Sequence, residues 1–404
     1  MDYKKEAKAL EAECIEIRRD IHRHPELGFQ EFRTAGIIRD YLKNIPLDEV
    51  KECSGTGTIG ILHGSKPGPT VMIRADIDAL PILEQSGEPF SSETPGVMHA
   101  CGHDGHTAML LCEAKILAAH RDEIPGTIAF VFQPNEEDAG AQIMIDDGAM
   151  ELAGHPEAAF GLHLKHNYPF GTIAMCPGPM MASSYYFKVT IHGKGGHGGY
   201  PHLCVNPIVT AAHVIENLES FRAFENSVFE PTVISVGMIH AGEKNIVIPN
   251  DIELEGSIRC LHKDHEHIHH RFCEIVQQTC RLYRCTCDIE LKCGNSLVYN
   301  DPALEKLAEE AAVETVGAEN LLTENIAVMG GDDMAEFMND RPGIYFFVGM
   351  GDPFKGTDCP NHNDHFRLNE DSLAIGMEMT MRLVLKYMEQ QAVQRSQRSM
   401  LVEN

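Results

Sequence analysis

The sequence predicts an α/β protein with a central, mostly parallel sheet, interrupted by an inserted α+β domain of ferredoxin-like order. Short apolar runs bounded by glycine and proline alternate with helical patterns through the first 182 residues. A strand–helix–strand–strand–helix–strand order fills residues 183–295, and the α/β pattern returns after Asn295. We therefore predict a first domain of residues 1–182 and 296–404, with residues 183–295 as the insertion.

The first domain begins with two predicted helices between Lys4 and Tyr41, broken at His24-Pro25 and Gly28, because proline and glycine disfavour helix. Apolar, β-rich runs then alternate with helical stretches, as expected when both faces of a parallel sheet are covered. The predicted elements are strands Thr58–Leu62, Thr70–Arg74, Thr127–Phe132, Ala158–Leu164 and Gly343–Gly349, and helices Asp104–His120, Pro302–Val316 and Asp371–Gln391. The polar tail from Ala392 is expected to be frayed.

The insertion begins where the pattern changes, near Pro177-Gly178-Pro179. Its predicted elements are strand Tyr185–His192, helix Pro207–Glu219, strands Thr232–His240 and Asp251–Leu261, helix His265–Tyr283 and strand Cys287–Lys292. His265 and His269 are four apart on a predicted helix and could bind a stray metal ion, but a solvated helix face is the preferred interpretation.

The composition limits the classes of partner. The chain has 404 residues, with 33 Lys and Arg against 60 Asp and Glu, which gives a formal charge of −27. Nucleic acid and anionic membranes both need a basic face, and no apolar run is long enough to span a bilayer, so we expect neither partner. The 13 Cys, an odd number in a chain that starts without a secretory signal, predict reduced thiols in a cytoplasmic protein.

Residues of metal-ligand type follow several predicted strands of the first domain. They are Cys101 and His103 on a turn before a helix, Glu136 and Glu137 after a strand, His163 at a strand end, and His362 late in the chain. Thiolate and imidazole suit zinc-like ions, and of two adjacent carboxylates one can bind metal while the other moves a proton. Each motif alone has a simpler explanation as a helix cap, a solvated loop or a hydrogen-bonded core histidine. Their convergence in one domain favours a metal site.

Seven stretches of the sequence match one known family in order. They are His22-Arg-His-Pro-Glu-Leu-Gly28, Arg74-Ala-Asp-Ile-Asp-Ala-Leu-Pro81, His99-Ala-Cys-Gly-His-Asp-Gly-His106, Phe132-Gln-Pro-Asn-Glu-Glu137, Gly161-Leu-His163, Gly193-Lys-Gly-Gly-His-Gly198 and Asn361-His362. Through them the chain resembles the M20 metallopeptidases, in the amidohydrolase branch of hippurate hydrolases, aminoacylases, auxin-conjugate hydrolases and N-acetyldiaminopimelate deacetylases. Arg74-Ala-Asp76 stands where the broader family has a His-x-Asp ligand motif, which marks this branch.

The resemblance implies two divalent ions per subunit, Mn²⁺ or Zn²⁺, with Co²⁺ or Ni²⁺ as alternatives. It implies that Cys101 bridges the ions and that their shells are completed by His103, Glu137, His163 and His362. Glu136 is then expected to be the general base, and Asp76 an acid that orients a ligand histidine.

In related enzymes the insertion pairs two subunits, so the resemblance also implies a homodimer. His197 matches a histidine that reaches the active site of the partner and could stabilise the oxyanion there. Asn245 and Arg259 match positions near the carbonyl and carboxylate of the substrate, with ordinary edge-strand polarity as the alternative for both.

The expected function is a metal-dependent amidohydrolase that cleaves N-acetyl, N-benzoyl or N-aryl-acyl amino acids. The alternatives are a dipeptidase or aminobenzoyl-conjugate hydrolase of the same fold, a non-catalytic metal-binding relative, and a thiol enzyme with Cys101 as nucleophile and His103 as base. The chain departs from the family pattern at Asp138-Ala139, Leu164-Lys-His166 and Gly331-Asp-Asp-Met334, which leaves the pocket shape open. Lys165 either admits an acidic or polar substrate group or extends to solvent.

Overall fold

A computed structural model describes residues 1–402 of the chain. Two compact units are present. Unit 1 contains Met1–Met180, Tyr299–Ile326 and the described chain from Asp333 onward, and unit 2 contains Met181–Val298 and Ala327–Asp332. In the described part of the chain, no helix combines the length and apolar character needed to cross a lipid bilayer.

Each helix and strand predicted above has a counterpart in the structure, although most of the observed ends differ from the predicted ones. The α-helices are α1 Tyr3–Arg23, α2 Phe32–Lys43, α3 His103–Ala119, α4 Gly140–Asp146, α5 Ala149–Leu152, α6 Pro207–Phe224, α7 His265–Leu282, α8 Glu305–Val316, α9 Met334–Met338 and α10 Ser372–Val402. The β-strands are β1 Glu49–Cys53, β2 Gly57–His63, β3 Lys66–Asp76, β4 Pro125–Gln133, β5 Ala158–Pro169, β6 Ile173–Ala174, β7 Gly178–Met181, β8 Ser183–His192, β9 Gly196–His197, β10 Thr232–Ala241, β11 Val247–Ile248, β12 Asp251–Cys260, β13 Thr286–Asn295, β14 Val298–Asn300, β15 Leu321–Leu322 and β16 Gly343–Gly351.

Unit 1 is built on an eight-stranded sheet with the strand order β1-β2-β4-β3-β5-β16-β6-β15. The adjacent strands β4, β3, β5 and β16 run parallel, which agrees with the predicted mostly parallel sheet, whereas β1 and β2 add an antiparallel edge. Parallel strands end at the same edge of a sheet, so the loops after β3, β4 and β5 lie side by side. This edge carries the candidate site.

The core of unit 1 packs α3 and α10 against this sheet. Helix α3 is apolar around most of its circumference and is buried along nearly its whole length. The sheet contributes Ile73, Phe160 and Phe346 to the same cluster.

The last helix corrects one prediction. It does not end at Gln391 with a frayed tail from Ala392 but continues to Val402. Arg395 holds the extension to the body of unit 1, because its guanidinium contacts the Glu157 carboxylate and donates to the main-chain oxygen of Gly68 at 3.3 Å. The extension is therefore held to unit 1 by contacts with residues that lie far away in the sequence.

Unit 2 contains a four-stranded antiparallel sheet in the order β10-β12-β8-β13, with α6 and α7 packed on one face. This is the ferredoxin-like connectivity. The histidine run on α7 differs from the predicted solvated face, since the rings of His265 and His269 are half-buried. Their centroids lie 6.1 and 3.8 Å from that of Tyr185 on β8.

Candidate metal centre

Cys101 and His103 lie on the turn that leads into α3. Gly102 between them has φ 102°, a left-handed conformation that glycine adopts without strain. His103 Nδ1 donates to the main-chain oxygen of Asp78 at 2.9 Å and lies 3.2 Å from Asp78 Oδ1. This contact uses Nδ1, so the buried Nε2 faces the ligand cluster, and the described residues supply no hydrogen bond to it.

The thiol of Cys101 lies between two imidazoles. Its Sγ is 3.2 Å from Nε2 of His163 and 3.3 Å from Nε2 of His362. His163 Nδ1 donates to the main-chain oxygen of Leu164 at 2.7 Å, so its Nε2 faces the sulfur with a lone pair. Burial, and then the ammonium of Lys165, lower the pKa of His163, which favours the neutral imidazole that a metal requires.

Two groups of potential ligands share the Cys101 sulfur. One contains Cys101, His103 and His163, and the other contains Cys101, Glu137 and His362, with the ligand atoms of each group within 4.8 Å of one another. The structure thus brings together all five residues predicted as ligands. The donors are thiolate, imidazole and carboxylate, and His103 Nε2 is buried without a hydrogen bond, so these residues would suit two zinc-like ions.

Glu136 lies on a short 3₁₀ turn that follows β4 directly. Asn135, which precedes it, has φ 56°, and this left-handed residue turns the chain out of the strand. Glu136 Oε2 is then 3.8 Å from His103 Nε2, and its side chain is 11% exposed. A carboxylate here can reach both a molecule bound at the ligand cluster and solvent.

Asp78 contacts the ligand cluster, and the sequence analysis did not single it out. It orients His103 through Nδ1, and its Oδ2 also accepts from the main-chain nitrogen of Glu137 at 3.1 Å. Asp76, the residue expected to orient a ligand, instead accepts from Nδ1 of His106 at 2.7 Å and lies 3.8 Å from His103 Nε2. Asp78 lies two residues beyond Asp76, the last residue of β3, in the loop that follows that strand.

A buried hydrogen-bond network of Arg74, Gln133 and Asp333 supports Asp76. Arg74 donates to Asp76 Oδ2 at 2.7 Å and to Asp333 Oδ1 at 2.8 Å, and Gln133 donates to both oxygens of Asp333. Burial alone would raise the pKa of Asp76, but His103, His106 and Arg74 hold this pKa well below its usual range. The departure at positions 331–334 therefore supplies Asp333, a buried carboxylate that accepts hydrogen bonds with both oxygens.

The loop before α10 brings the last predicted ligand to the centre. His362 has φ 65°, and its main-chain nitrogen donates to the Ala100 oxygen at 2.7 Å. The Asn361 amide donates to the Cys101 oxygen at 3.0 Å and contacts His166 Nδ1 at 2.7 Å. Contacts with Cys101 and then Glu137 raise the pKa of His362 to about 10.

Residues 72–386 match the sequence profile of peptidase family M20/M25/M40. The chain belongs to this family. It is 36% identical over 391 residues to thermostable carboxypeptidase 2 of Saccharolobus solfataricus, which covers 95% of this chain and 98% of that protein. It is also 36% identical over 386 residues to the N-acetylcysteine deacetylase of Bacillus subtilis, with 95% and 98% covered. The crystal structure of the Bacillus subtilis YXEP protein, a dinuclear metal binding peptidase from the M20 family, matches with a TM-score of 0.82 and 33% identity over 95% of this chain and 99% of that one.

This M20 protein is therefore a metal-dependent hydrolase. Its unit 2 holds the three remaining predicted site residues in two places. His197 on β9 pairs with Val247 on β11, which places the exposed Asn245 just before the paired strand, whereas Arg259 lies near the end of β12. The Arg259 guanidinium donates to the main-chain oxygen of Met329 at 3.2 Å.

Proposed function

We propose that this M20 hydrolase cleaves the amide bond of N-acetyl, N-benzoyl or aryl-acyl amino acids, releasing a carboxylic acid and an amino acid. The observation that carries the proposal is the paired ligand groups that share Cys101, with the Glu136 carboxylate 3.8 Å from Nε2 of His103. The name of the related N-acetylcysteine deacetylase supports an acyl-amide substrate. The odd number of thiols, 13, supports a cytoplasmic location as part of the same proposal.

The metal ions would be held by the five converging side chains, Cys101, His103, Glu137, His163 and His362. Mn²⁺ or Zn²⁺ is the expected metal, and such ions, when bound, polarise a carbonyl group and lower the pKa of water. Asp78 fixes the ring of His103, and Arg74, which also pairs with Asp333, fixes Asp76. These contacts supply a rigid arrangement before substrate arrives.

Glu136 moves the proton in this mechanism. Its carboxylate takes a proton from the water that attacks the amide carbonyl carbon, and it delivers that proton to the amide nitrogen as the C–N bond breaks. The products are a carboxylate and a free amino group. The half-buried position of Glu136 suits both transfers, since one carboxylate oxygen faces the cluster.

Unit 2 contributes substrate contacts in the proposal. The guanidinium of Arg259 is the fork that binds the α-carboxylate, while Asn245 and His197 contact the carbonyl oxygen as it becomes an oxyanion. Asp251 at one end of β12 pairs with His192, next to the loop that holds His197, whereas Arg259 lies eight residues further along the strand. At about 3.4 Å per residue, Arg259 lies about 27 Å along the strand from Asp251, which is further than one small substrate reaches.

We therefore propose a homodimer in which His197 and Asn245 act on the active site of the partner. The β10 edge of unit 2 supports this arrangement, because Met238 and Ile239 on it are about half exposed. Ile208 and Val209 on α6 are exposed to a similar degree. An unpaired strand edge with apolar side chains is typical of a surface that a second copy covers.

The test is hydrolysis of N-acetyl and N-benzoyl amino acids by chelator-treated protein, with and without added Mn²⁺ or Zn²⁺. Turnover that returns with metal supports the proposal. Turnover that survives complete metal removal contradicts it and favours the thiol mechanism at Cys101. Cleavage restricted to substrates with a free α-amine favours a dipeptidase. The assay therefore also includes dipeptides, because the related protein of Saccharolobus solfataricus is named a carboxypeptidase.

A further inference from the structure

Lys165 lies on the same strand as His163 and on the same face of the sheet. Side chains alternate between the faces of a strand, so residues two apart point the same way and are separated by about 6.6 Å. Leu162 and Leu164 belong to the hydrophobic core, which leaves His163 and Lys165 on the opposite face of β5. Lys165 Nζ lies 5.4 Å from the ring centre of Phe347, the register partner of His163 on β16. The ammonium is therefore beside the candidate metal centre.

Within the described part of the chain, the ammonium of Lys165 has no acidic partner. Across the described residues no carboxylate oxygen lies within 4.0 Å of its Nζ, although the chain has 60 acidic and only 33 basic residues. Other lysines do find partners: Lys115, Lys188 and Lys386 each pair with a glutamate. The side chain of Lys165 is half-buried, and partial burial of an unpaired charge is costly. The face of the Phe347 ring offsets only part of that cost.

We propose that Lys165 binds a second carboxylate of the substrate, in addition to the α-carboxylate of the amino acid. This inference rests on the proposed function, because it places an N-acyl amino acid at the cluster. The second carboxylate belongs either to the amino-acid side chain, as in an N-acyl glutamate, or to the acyl group, as in an N-succinyl amino acid. The shared chemistry is a carboxylate that pairs with a partly buried ammonium. A neutral isostere leaves that cation unpaired and is therefore a poorer substrate.

The test uses two matched substrate pairs with metal-loaded enzyme. N-acetylglutamate is compared with N-acetylglutamine, and N-succinyl-leucine with its succinamoyl analogue, so that each pair differs only by carboxylate against carboxamide. We expect one acidic member to have a kcat/KM at least about tenfold higher than its partner, the typical effect of a hydrogen bond to a charged group. The pair that responds identifies the source of the carboxylate.

Variants at position 165 assign the preference to the ammonium. Lys165→Met is expected to reduce the ratio within the responding pair to about one, and Lys165→Arg, which keeps the charge, to retain most of it. Lys43→Met at the end of α2 removes an exposed lysine and serves as the matched control, with the ratio of the unaltered enzyme. A ratio, unlike a single rate, is insensitive to a general loss of folded protein. Thermal unfolding of each variant checks its folding.

Two results overturn the inference while leaving the proposed function intact. One is hydrolysis of the neutral conjugates with ratios near one for both pairs, and the other is an acidic preference that survives Lys165→Met. If no conjugate is hydrolysed, the proposed function fails, and calorimetry then decides on Lys165 separately. In a Glu136→Gln background, tighter binding of the acidic member that disappears with Lys165→Met supports the site. Equal affinity for acidic and neutral members contradicts it.

Discussion

Gly28 packs so closely against Asn135 that a Cβ atom at position 28 would lie 1.7 Å from Asn135 Oδ1. The main-chain nitrogen of Asn135 donates to Glu31 Oε1 at 3.0 Å, and the other oxygen of this buried carboxylate accepts from Thr56 at 2.7 Å. The segment between α1 and α2 therefore supports the turn on which Glu136 lies. This contact explains why the motif His22-Arg-His-Pro-Glu-Leu-Gly28 matters, although it supplies no ligand.

Gly28→Ala should reduce activity by displacing the Glu136 turn. We expect kcat to fall at least about tenfold and the free energy of unfolding to fall by about 1–3 kcal/mol, since the new methyl group overlaps Asn135. Steady-state kinetics and denaturant unfolding measure the two effects. Gly36→Ala on α2 is the matched control, because its Cβ meets nothing within 4 Å. It should leave kcat unchanged and raise stability by up to about 1 kcal/mol. A Gly28→Ala enzyme with unaltered kcat would show that the contact is not needed.

Glu136→Gln should separate proton transfer from metal binding. Glutamine keeps the size of the side chain but cannot accept the proton, so we expect kcat to fall by about 10²–10⁴ while metal content stays the same. Glu137→Gln should instead lower metal content, because its oxygen lies in the ligand group with Cys101 and His362. Metal analysis after gel filtration, alongside the rates, distinguishes the two. Asp138→Asn, exposed on the same turn, is the control. Loss of metal from Glu136→Gln would contradict the assigned roles.

Asp78→Ala should weaken metal binding without removing a ligand. His103 would lose its contact with Asp78 Oδ1 at 3.2 Å, and Glu137 would lose the acceptor of its main-chain nitrogen at 3.1 Å. Removal of such a support typically lowers metal affinity by about 10- to 100-fold. Titration of the protein with metal in competition with a chelating indicator measures this affinity. Asp40→Ala, an exposed carboxylate on α2, should have no effect, and an affinity unchanged by Asp78→Ala would show that the main-chain contact alone holds His103.

The pH dependence of stability should reveal the ion pair of His22 and Glu84. Their side chains are buried, with His22 Nε2 3.2 Å from Glu84 Oε1 and Nδ1 2.8 Å from Asp104 Oδ2. Against the opposing effect of burial, the contact with His22 lowers the pKa of Glu84 to about 2, and contacts with Asp104 and Glu84 raise the pKa of His22. The contribution of Glu84 is complete above about pH 4.5 and is lost as the pH falls toward 2. That of His22 is complete below about pH 6.5 and is lost as the pH rises through its raised pKa.

Glu84→Gln should therefore lower Tm most between about pH 4.5 and 6.5, and least near pH 2 and at alkaline pH. Where the effect is largest, we expect the free energy of unfolding to fall by about 2 kcal/mol, because the substitution removes a charge that pairs with the buried His22. Thermal unfolding across the pH range measures the difference from the unaltered protein. Glu16→Gln on the exposed side of α1 is the control. A Tm difference independent of pH would attribute the effect to packing instead.

The amino-acid pattern alone indicated much of the fold and of the candidate site. Apolar runs broken by glycine and proline located the strands of unit 1, because burial on both faces of a parallel sheet demands such runs. The ligand candidates were recognisable because metal coordination restricts residue type and local spacing, as in Cys101-Gly-His103. The mistaken end of α10 had a different cause, since Arg395 contacts Glu157 and Gly68, which are distant in the sequence.

The sequence by itself determined the family, the fold class and the residue types able to bind metal, because these depend on composition and short-range pattern. Only the tertiary structure decided which acid serves which group. Asp76 and Asp78 are the same residue type two positions apart, yet Asp76 bonds to His106 and Asp78 bonds to His103. It also decided that Lys165 lies beside His163 with no counter-ion among the described residues. The contact of Cys101 with His362 joins residues 261 positions apart, and only the packing of the sheet edge brings such residues together.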